Sequence, residues 1–136
     1  MMSEAEHKLY LLAKEAMTHS HSPYSQFKVG AAILTTSGNT YSGTNIENAS
    51  YGATVCAERV AIWKGVSQEH NLKIKTLLVV TSSTQSEPCP PCGMCRQVLS
   101  EFADESTQIL TTDLNENAKS FSYQEVCPHW FDASHL

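Results

Sequence analysis

The sequence predicts an α/β domain in which a mixed sheet lies between helical layers. Apolar residues repeat at helical spacing near the N-terminus, two β-prone segments flank a Ser-Gly-Asn turn, and helix and strand signals then alternate along the rest of the chain.

Ser3 stands three residues ahead of Glu6, the spacing of a capping box, and Ala5, Leu9, Leu12, Ala13, Ala16 and Met17 follow at helical intervals. A first helix is expected to about Thr18. Residues 27–35 and 40–45 are β-prone and are separated by Ser37-Gly38-Asn39, which is hairpin chemistry and implies an antiparallel pair. A polar loop over 47–52 leads to Thr54, the expected N-cap of a second helix that carries Cys56, Ala57, Val60, Ala61 and Trp63 and ends near Gly65.

Within 74–81, Leu77-Leu78-Val79-Val80 is continuous enough for a strand buried on both faces. Pro88, Pro90 and Pro91 keep the next stretch irregular. A third helix starts around Cys92 with Val98, Leu99 and Phe102 on its apolar side, and a short strand follows over 108–112. Ser122 and Glu125 mark one more capped turn before Pro128.

The chain has 136 residues, 41% of them hydrophobic and 17% charged, which is globular composition and enough for one core. A single domain over 1–136 is expected, with no internal repeat or linker. No apolar run approaches the roughly 20 residues of a membrane span, and residues 1–12 mix Glu, His and Lys too early for a signal peptide. The protein is expected to stay in the cytosol. A net charge of −5 without a compensating basic cluster argues against a nucleic-acid partner and suits a neutral small molecule.

Five cysteines is an odd count, and Cys89, Cys92 and Cys95 are too close together for a disulfide framework. Cys92-Gly93-Met94-Cys95 places two thiols three residues apart at a helix start, where free backbone N–H groups favour negative charge. That spacing alone serves a redox pair as well as a metal. Cys56-Ala57-Glu58 supplies a third thiol and a carboxylate near another helix start. Three ligands leave zinc one open position for water, whose pKa falls towards about 7 on the metal, with Glu58 placed to carry the proton. Three thiolates would blunt the ion as a Lewis acid, so Arg59, Arg96 and the helix N-termini are candidates to offset them.

The strings Ser22-Pro23-Tyr24-Ser25-x-Phe27-x-Val29-Gly30-Ala31-Ala32, Asn45-Ile46-Glu47-Asn48-Ala49-Ser50-Tyr51-Gly52, Cys56-Ala57-Glu58-Arg59 and Pro91-Cys92-Gly93-x-Cys95-Arg96-Gln97 together span most of the chain. In them the sequence resembles the small, homotetrameric, zinc-dependent cytidine deaminases. The resemblance implies a three-layer α/β/α cytidine-deaminase-like fold with a mixed five-stranded sheet. It implies hydrolysis of free cytidine and deoxycytidine to uridine and deoxyuridine, a step of pyrimidine salvage. One zinc per chain would be held by Cys56, Cys92 and Cys95, and Glu58 would shuttle protons during attack of zinc-bound hydroxide on C4. Asn45 and Glu47 would bind the ribose 3′-hydroxyl, Phe27 would pack on the base, and Ala57 would also contact the substrate. Ala49, Tyr51 and Phe131 would reach a neighbouring subunit's site in a homotetramer, and Arg59 and Gln97 would support the zinc ligands.

Cys89 makes a Cys89-x-x-Cys92-x-x-Cys95 ladder and so a rival ligand trio, which Pro90 and Pro91 disfavour by holding Cys89 outside the helix. The family's C-terminal Leu-Leu-Pro-x-x-Phe reads Val126-Cys127-Pro128-His129-Trp130-Phe131 here, with Cys127 expected as a small buried hydrophobe. His19, His21, His129 and His135 fall in loops or termini and are expected at the surface. Two other functions stay open: a deaminase of another nucleoside or of blasticidin S, and a zinc-stabilised binding module without chemistry. The Asn45–Gly52 string argues against the first, and a fourth ligand would mark the second.

Overall fold

A computed structural model of the chain describes residues 1–83 and 87–136. Its elements are α1 (Glu4–Met17), β1 (Val29–Thr35), β2 (Thr40–Thr44), α2 (Ala57–Gln68), β3 (Ile74–Thr81), α3 (Gly93–Ser100), β4 (Gln108–Thr112), β5 (Ala118–Ser122) and α4 (Tyr123–Val126), with 3-10 turns at Tyr51–Ala53 and Ala133–His135. The sheet order is β2-β1-β3-β4-β5. Only the β3–β4 pair is parallel, so the sheet is mixed and five-stranded as expected.

Side-chain alternation along the central strands builds two cores. Ala31, Ile33, Leu77 and Val79 face α2, α3 and α4, whereas Ala32, Leu78, Val80 and Leu110 face α1. Helices therefore cover both faces, which is why β3 reads as an uninterrupted apolar run. The capping boxes at Ser3/Glu6 and Ser122/Glu125 both form. The helix at Cys92 begins as expected, with Cys92 as its N-cap, but ends at Ser100, and Phe102 packs against the core from beyond it.

Two readings of the second helix are corrected. Its N-cap is Cys56, whereas Thr54 closes the preceding 3-10 turn and accepts the Asn48 N–H on its hydroxyl at 3.2 Å. The helix also runs past Gly65 to Gln68. Gly65 is there for close approach rather than termination: a Cβ on it would stand 2.6 Å from Leu72 Cδ1 and 2.9 Å from Tyr41 Cδ2. The fifth strand, β5, has no distinct sequence signal. Its first three residues are exposed, and it is held by pairing with β4.

Glu69 caps the far end of α2 and anchors the β1–β2 hairpin to it. Its carboxylate accepts from Ser37 Oγ at 2.7 Å, Asn39 Nδ2 at 2.9 Å, Tyr41 Oη at 2.9 Å and Thr35 Oγ1 at 3.3 Å. These donors, Asn39 first and then Ser37, hold its pKa below the ordinary 4.5. Among the described residues no helix is long and apolar enough to cross a membrane.

Because a Cβ on Gly30 would overlap the Ala13 carbonyl on α1, Gly30→Ala should cost about 1–3 kcal/mol in urea unfolding, more than Gly65→Ala, whose obstacles are side-chain ends. The Glu69 contribution follows from a depressed carboxyl: it is present above pH 4.5 and lost as pH falls through the lower folded-state value. Glu69→Gln should therefore melt below wild type at neutral pH, with the gap closing in acid below pH 4.5.

Candidate metal centre and substrate cavity

The site forms where the first residue of β1 lies beside the last residue of β3, at the register pair Val29↔Thr81. Ligand sites of α/β sheets favour such strand ends, outside the carboxyl end of a strand like β3. Two helices start there. Cys56 is the N-cap of α2 and Cys92 that of α3, and Cys95 and Glu58 lie in the first turns of those helices. Neither N-cap side chain accepts a backbone N–H of its own helix, so both thiols are left to point into shared space.

The sulfurs of Cys56, Cys92 and Cys95 all lie within 4.8 Å of one another, and Cys56 Sγ is 3.7 Å from Cys92 Sγ. Tetrahedral zinc with Zn–S bonds of about 2.3 Å sets its sulfurs about 3.8 Å apart. The trio therefore fits the ion. No other His, Cys, Asp or Glu of the described residues joins it, which leaves the open position of a catalytic site and removes the fourth ligand that a purely structural zinc would need. Cys89 stays outside the trio, its sulfur 3.7 Å from the Pro90 carbonyl oxygen.

Electrostatics agree with this donor set. Arg59 is only 6% exposed, no carboxylate of the described residues is ion-paired with it, and its Nη2 lies 3.4 Å from Cys56 Sγ. Its Nε is buried without a hydrogen-bond partner among the described residues. A buried guanidinium requires negative charge nearby, and thiolates supply it. The Cys56 thiol is drawn down to about 5, first by the Cys95 thiol beside it and, against burial, by Arg59. Cys95 is pushed up by that same contact with Cys56 and by its own burial. Glu58 is 5% exposed and its Oε2 accepts from Cys95 Sγ at 3.3 Å. Burial, and then the charge on Cys56, raise its pKa and favour the protonated carboxyl.

A cavity of about 180 Å³ adjoins these groups, lined by Cys56, Cys92 and Glu58, by the apolar Phe27, Val29, Val55 and Val79, and by Asn45 and Glu47. Asn45 spans the entry to β1: its Oδ1 accepts the Val29 N–H at 2.9 Å and its Nδ2 donates to the Phe27 carbonyl at 2.7 Å. Glu47 Oε1 accepts the backbone N–H groups of Tyr24 at 2.9 Å and Ser25 at 3.1 Å. The Ser25 side chain contributes most to holding its carboxyl below the usual range.

Phe27, Asn45, Glu47, Cys56, Glu58 and Cys92 thus meet in one cavity, with Cys95 behind them and Ala57 buried at the first position of α2. Ala49, Tyr51 and Phe131 do not line it. They stand exposed, Tyr51 by 76% and Phe131 by 54%. Among the described residues Gln97 is hydrogen-bonded to no thiol: its Nε2 donates to the Phe131 carbonyl at 3.0 Å and to Ser100 Oγ at 3.3 Å. Of the two candidate counter-charges, Arg59 reaches a sulfur and Arg96 bonds backbone carbonyls instead. Cys127 packs partly buried against the core, and His19, His21, His129 and His135 are exposed. Sequence reasoning gave no place in the cavity to Thr54, Thr81 or Pro90, which also line it, and weighed Cys89 only as a rival ligand.

Comparison with known proteins agrees with this geometry. The family described as "Cytidine and deoxycytidylate deaminase zinc-binding region" matches residues 3–111. A cytidine deaminase of Halalkalibacterium halodurans is 39% identical over 129 residues, spanning 93% of this chain and 96% of that protein. The crystal structure of a cytidine deaminase from Burkholderia pseudomallei superposes with a TM-score of 0.85 at 34% identity, covering 96% of this chain and all of that one. A blasticidin-S deaminase of Bacillus cereus is more distant, at 29% identity over 133 residues.

The trio predicts its own metal analysis. Wild type should bind one zinc ion per chain by atomic absorption, and Cys56→Ala or Cys92→Ala should bind little. Cys89→Ala should retain the metal, whereas loss of zinc in Cys89→Ala and Cys92→Ala but not in Cys56→Ala would favour the ladder Cys89, Cys92 and Cys95 as ligands.

Proposed function

From the premise that the chain belongs to the cytidine and deoxycytidylate deaminase family, we propose that it hydrolyses free cytidine and deoxycytidine to uridine and deoxyuridine, with water consumed and ammonia released. The observation that carries this reading is the three-thiol cluster with an open position, set against the buried Glu58 at one cavity. Zinc held by Cys56, Cys92 and Cys95 supplies a Lewis acid that makes water a nucleophile near neutral pH.

The chain's own residues do the rest. Glu58 takes one proton of the attacking water and delivers it to ring N3, then takes the remaining hydroxyl proton from C4 and delivers it to the amine, which leaves as ammonia. Its burial suits it to this work, because a raised carboxyl pKa approaches that of a base operating at neutral pH. Phe27 packs on the base, beside the aliphatic Val29, Val55 and Val79 of the lining.

Glu47 is ionised and has a second oxygen left to accept from the ribose 3′-hydroxyl, and Asn45 keeps one N–H beyond the bond to Phe27. A carboxylate left without its hydroxyl partner penalises any ligand lacking the sugar, so the nucleoside rather than free cytosine is the substrate. Ala57 closes the site from the start of α2, and Arg59 moderates the charge of the thiolates. Gln97 supports the zinc helix indirectly, through the C-terminal segment.

In this reading residues 1–136 act as one catalytic domain, and four copies assemble so that Ala49, Tyr51 and Phe131 enter a neighbouring site. Exposed Trp63 and Val66 on α2, together with Tyr51, Met94 and Phe131, give such an assembly apolar surface to cover. The net charge of −5 suits free nucleosides rather than nucleic acid, and the reaction places the protein in pyrimidine salvage in the cytosol.

The test is the ultraviolet absorbance change on mixing with cytidine, beside cytosine and blasticidin S. Wild type should consume cytidine and deoxycytidine only, and a chelator should abolish turnover until zinc is restored. Glu58→Gln should keep its zinc and lose about 10²–10⁴-fold in kcat. Full activity in that variant would refute the proton-carrier role, and rapid turnover of blasticidin S would move the substrate.

A further inference from the structure

The segment that leads into α3 buries Pro91 but has few backbone donors with which to fix itself. Pro88, Pro90 and Pro91 offer no backbone N–H. Yet this segment lines the cavity through Cys89 and Pro90 and delivers Cys92, which is exposed, unlike the buried Cys95. Packing alone does not hold that thiol.

Arg96, half-buried on α3, supplies an outside anchor. Its Nε donates to the Pro91 carbonyl at 2.8 Å and its Nη1 to the Val126 carbonyl at 2.5 Å. No carboxylate of the described residues is ion-paired with it. Val126 ends α4, where helix carbonyls lack partners within the helix and attract a cation. That end is fixed, because Tyr123 and Val126 are core residues and Trp130 packs on Tyr123 with ring centroids 4.9 Å apart. A guanidinium presents its donors in a rigid plane, so bonding both carbonyls sets the distance and direction between them.

We propose that Arg96 is a positioning residue for the deamination: it ties the proline-rich segment to the end of α4 and so places Cys92 and the adjoining cavity wall. The inference rests on the reading of Cys92 as a zinc ligand. Arg96 touches neither substrate nor metal in this scheme and acts through Pro91.

The test compares Arg96→Met, which keeps the stem and removes the donors, with Arg96→Lys, whose ammonium keeps the charge without the planar fork. Leu110→Ala, on the α1 face of the sheet, controls for lost stability. Zinc release to excess chromogenic chelator, kcat and KM for cytidine, and the thermal midpoint are measured, with the first three well below that midpoint. Arg96→Met should release zinc about 10–100-fold faster and lose about 10-fold or more in kcat, while KM changes by less than about threefold because Phe27, Asn45 and Glu47 are untouched. Arg96→Lys should fall between it and wild type, and Leu110→Ala should change only the midpoint.

Wild-type zinc release and kcat in Arg96→Met, with a lowered midpoint, would reduce Arg96 to a staple of the fold and overturn the proposal. If Arg96→Met does not fold, Arg96→Lys decides: faster zinc release than wild type upholds the role and an unchanged rate overturns it. A wild-type protein that binds no zinc would overturn the reading of the site, and this inference with it.

Discussion

Three sulfurs that must carry negative charge to hold a metal are gathered beside a buried carboxylate, and an interior tolerates such a cluster only where positive potential faces it. Here it has two sources. The N-termini of α2 and α3 converge on the thiols, and Arg59 is buried with Cys56 as its hydrogen-bond partner. Each source needs the other elements to stay in place. A helix N-terminus is a useful charge only within about a turn, so both helices must start at the same end of the sheet.

The sheet order meets that requirement. With β1 and β3 adjacent at its centre, the pair Val29↔Thr81 forms a floor on which both helix starts can meet. Asn45 finishes this floor by bonding the backbone on either side of Lys28, so the residue proposed to read the sugar also sets the course of the strand beneath the base. Glu47, two residues on, is fixed by the backbone N–H groups of Tyr24 and Ser25. Recognition groups are therefore held by main-chain contacts, which resist side-chain drift better than contacts to flexible neighbours.

The C-terminal segment belongs to the same mechanical unit. Gln97 holds the carbonyl of Phe131 and Arg96 that of Val126, while Trp130 lies against Tyr123. Adjacent residues on the zinc-bearing helix thus set the path of a stretch some thirty positions later in the chain.

Local chemistry written into the chain determined much of this. Capping boxes at Ser3 and Ser122, the apolar run in β3 and the helix start at Cys92 are properties of neighbouring residues and were legible without the fold. Cys56, Cys92, Cys95 and Glu58 were named as candidates through the family resemblance of their strings, since spacing alone also offered the Cys89 ladder, and the fold brings the three sulfurs together. The tertiary structure decided what depends on distant partners. β5 exists through pairing with β4, Gly65 lies inside a helix because Leu72 and Tyr41 press against it, and Arg96 serves two carbonyls where its sequence position pointed to sulfur. The physical reason is common to all three: propensity and motif encode what a residue can do, whereas its partner is set by which segments the sheet brings within a few ångströms.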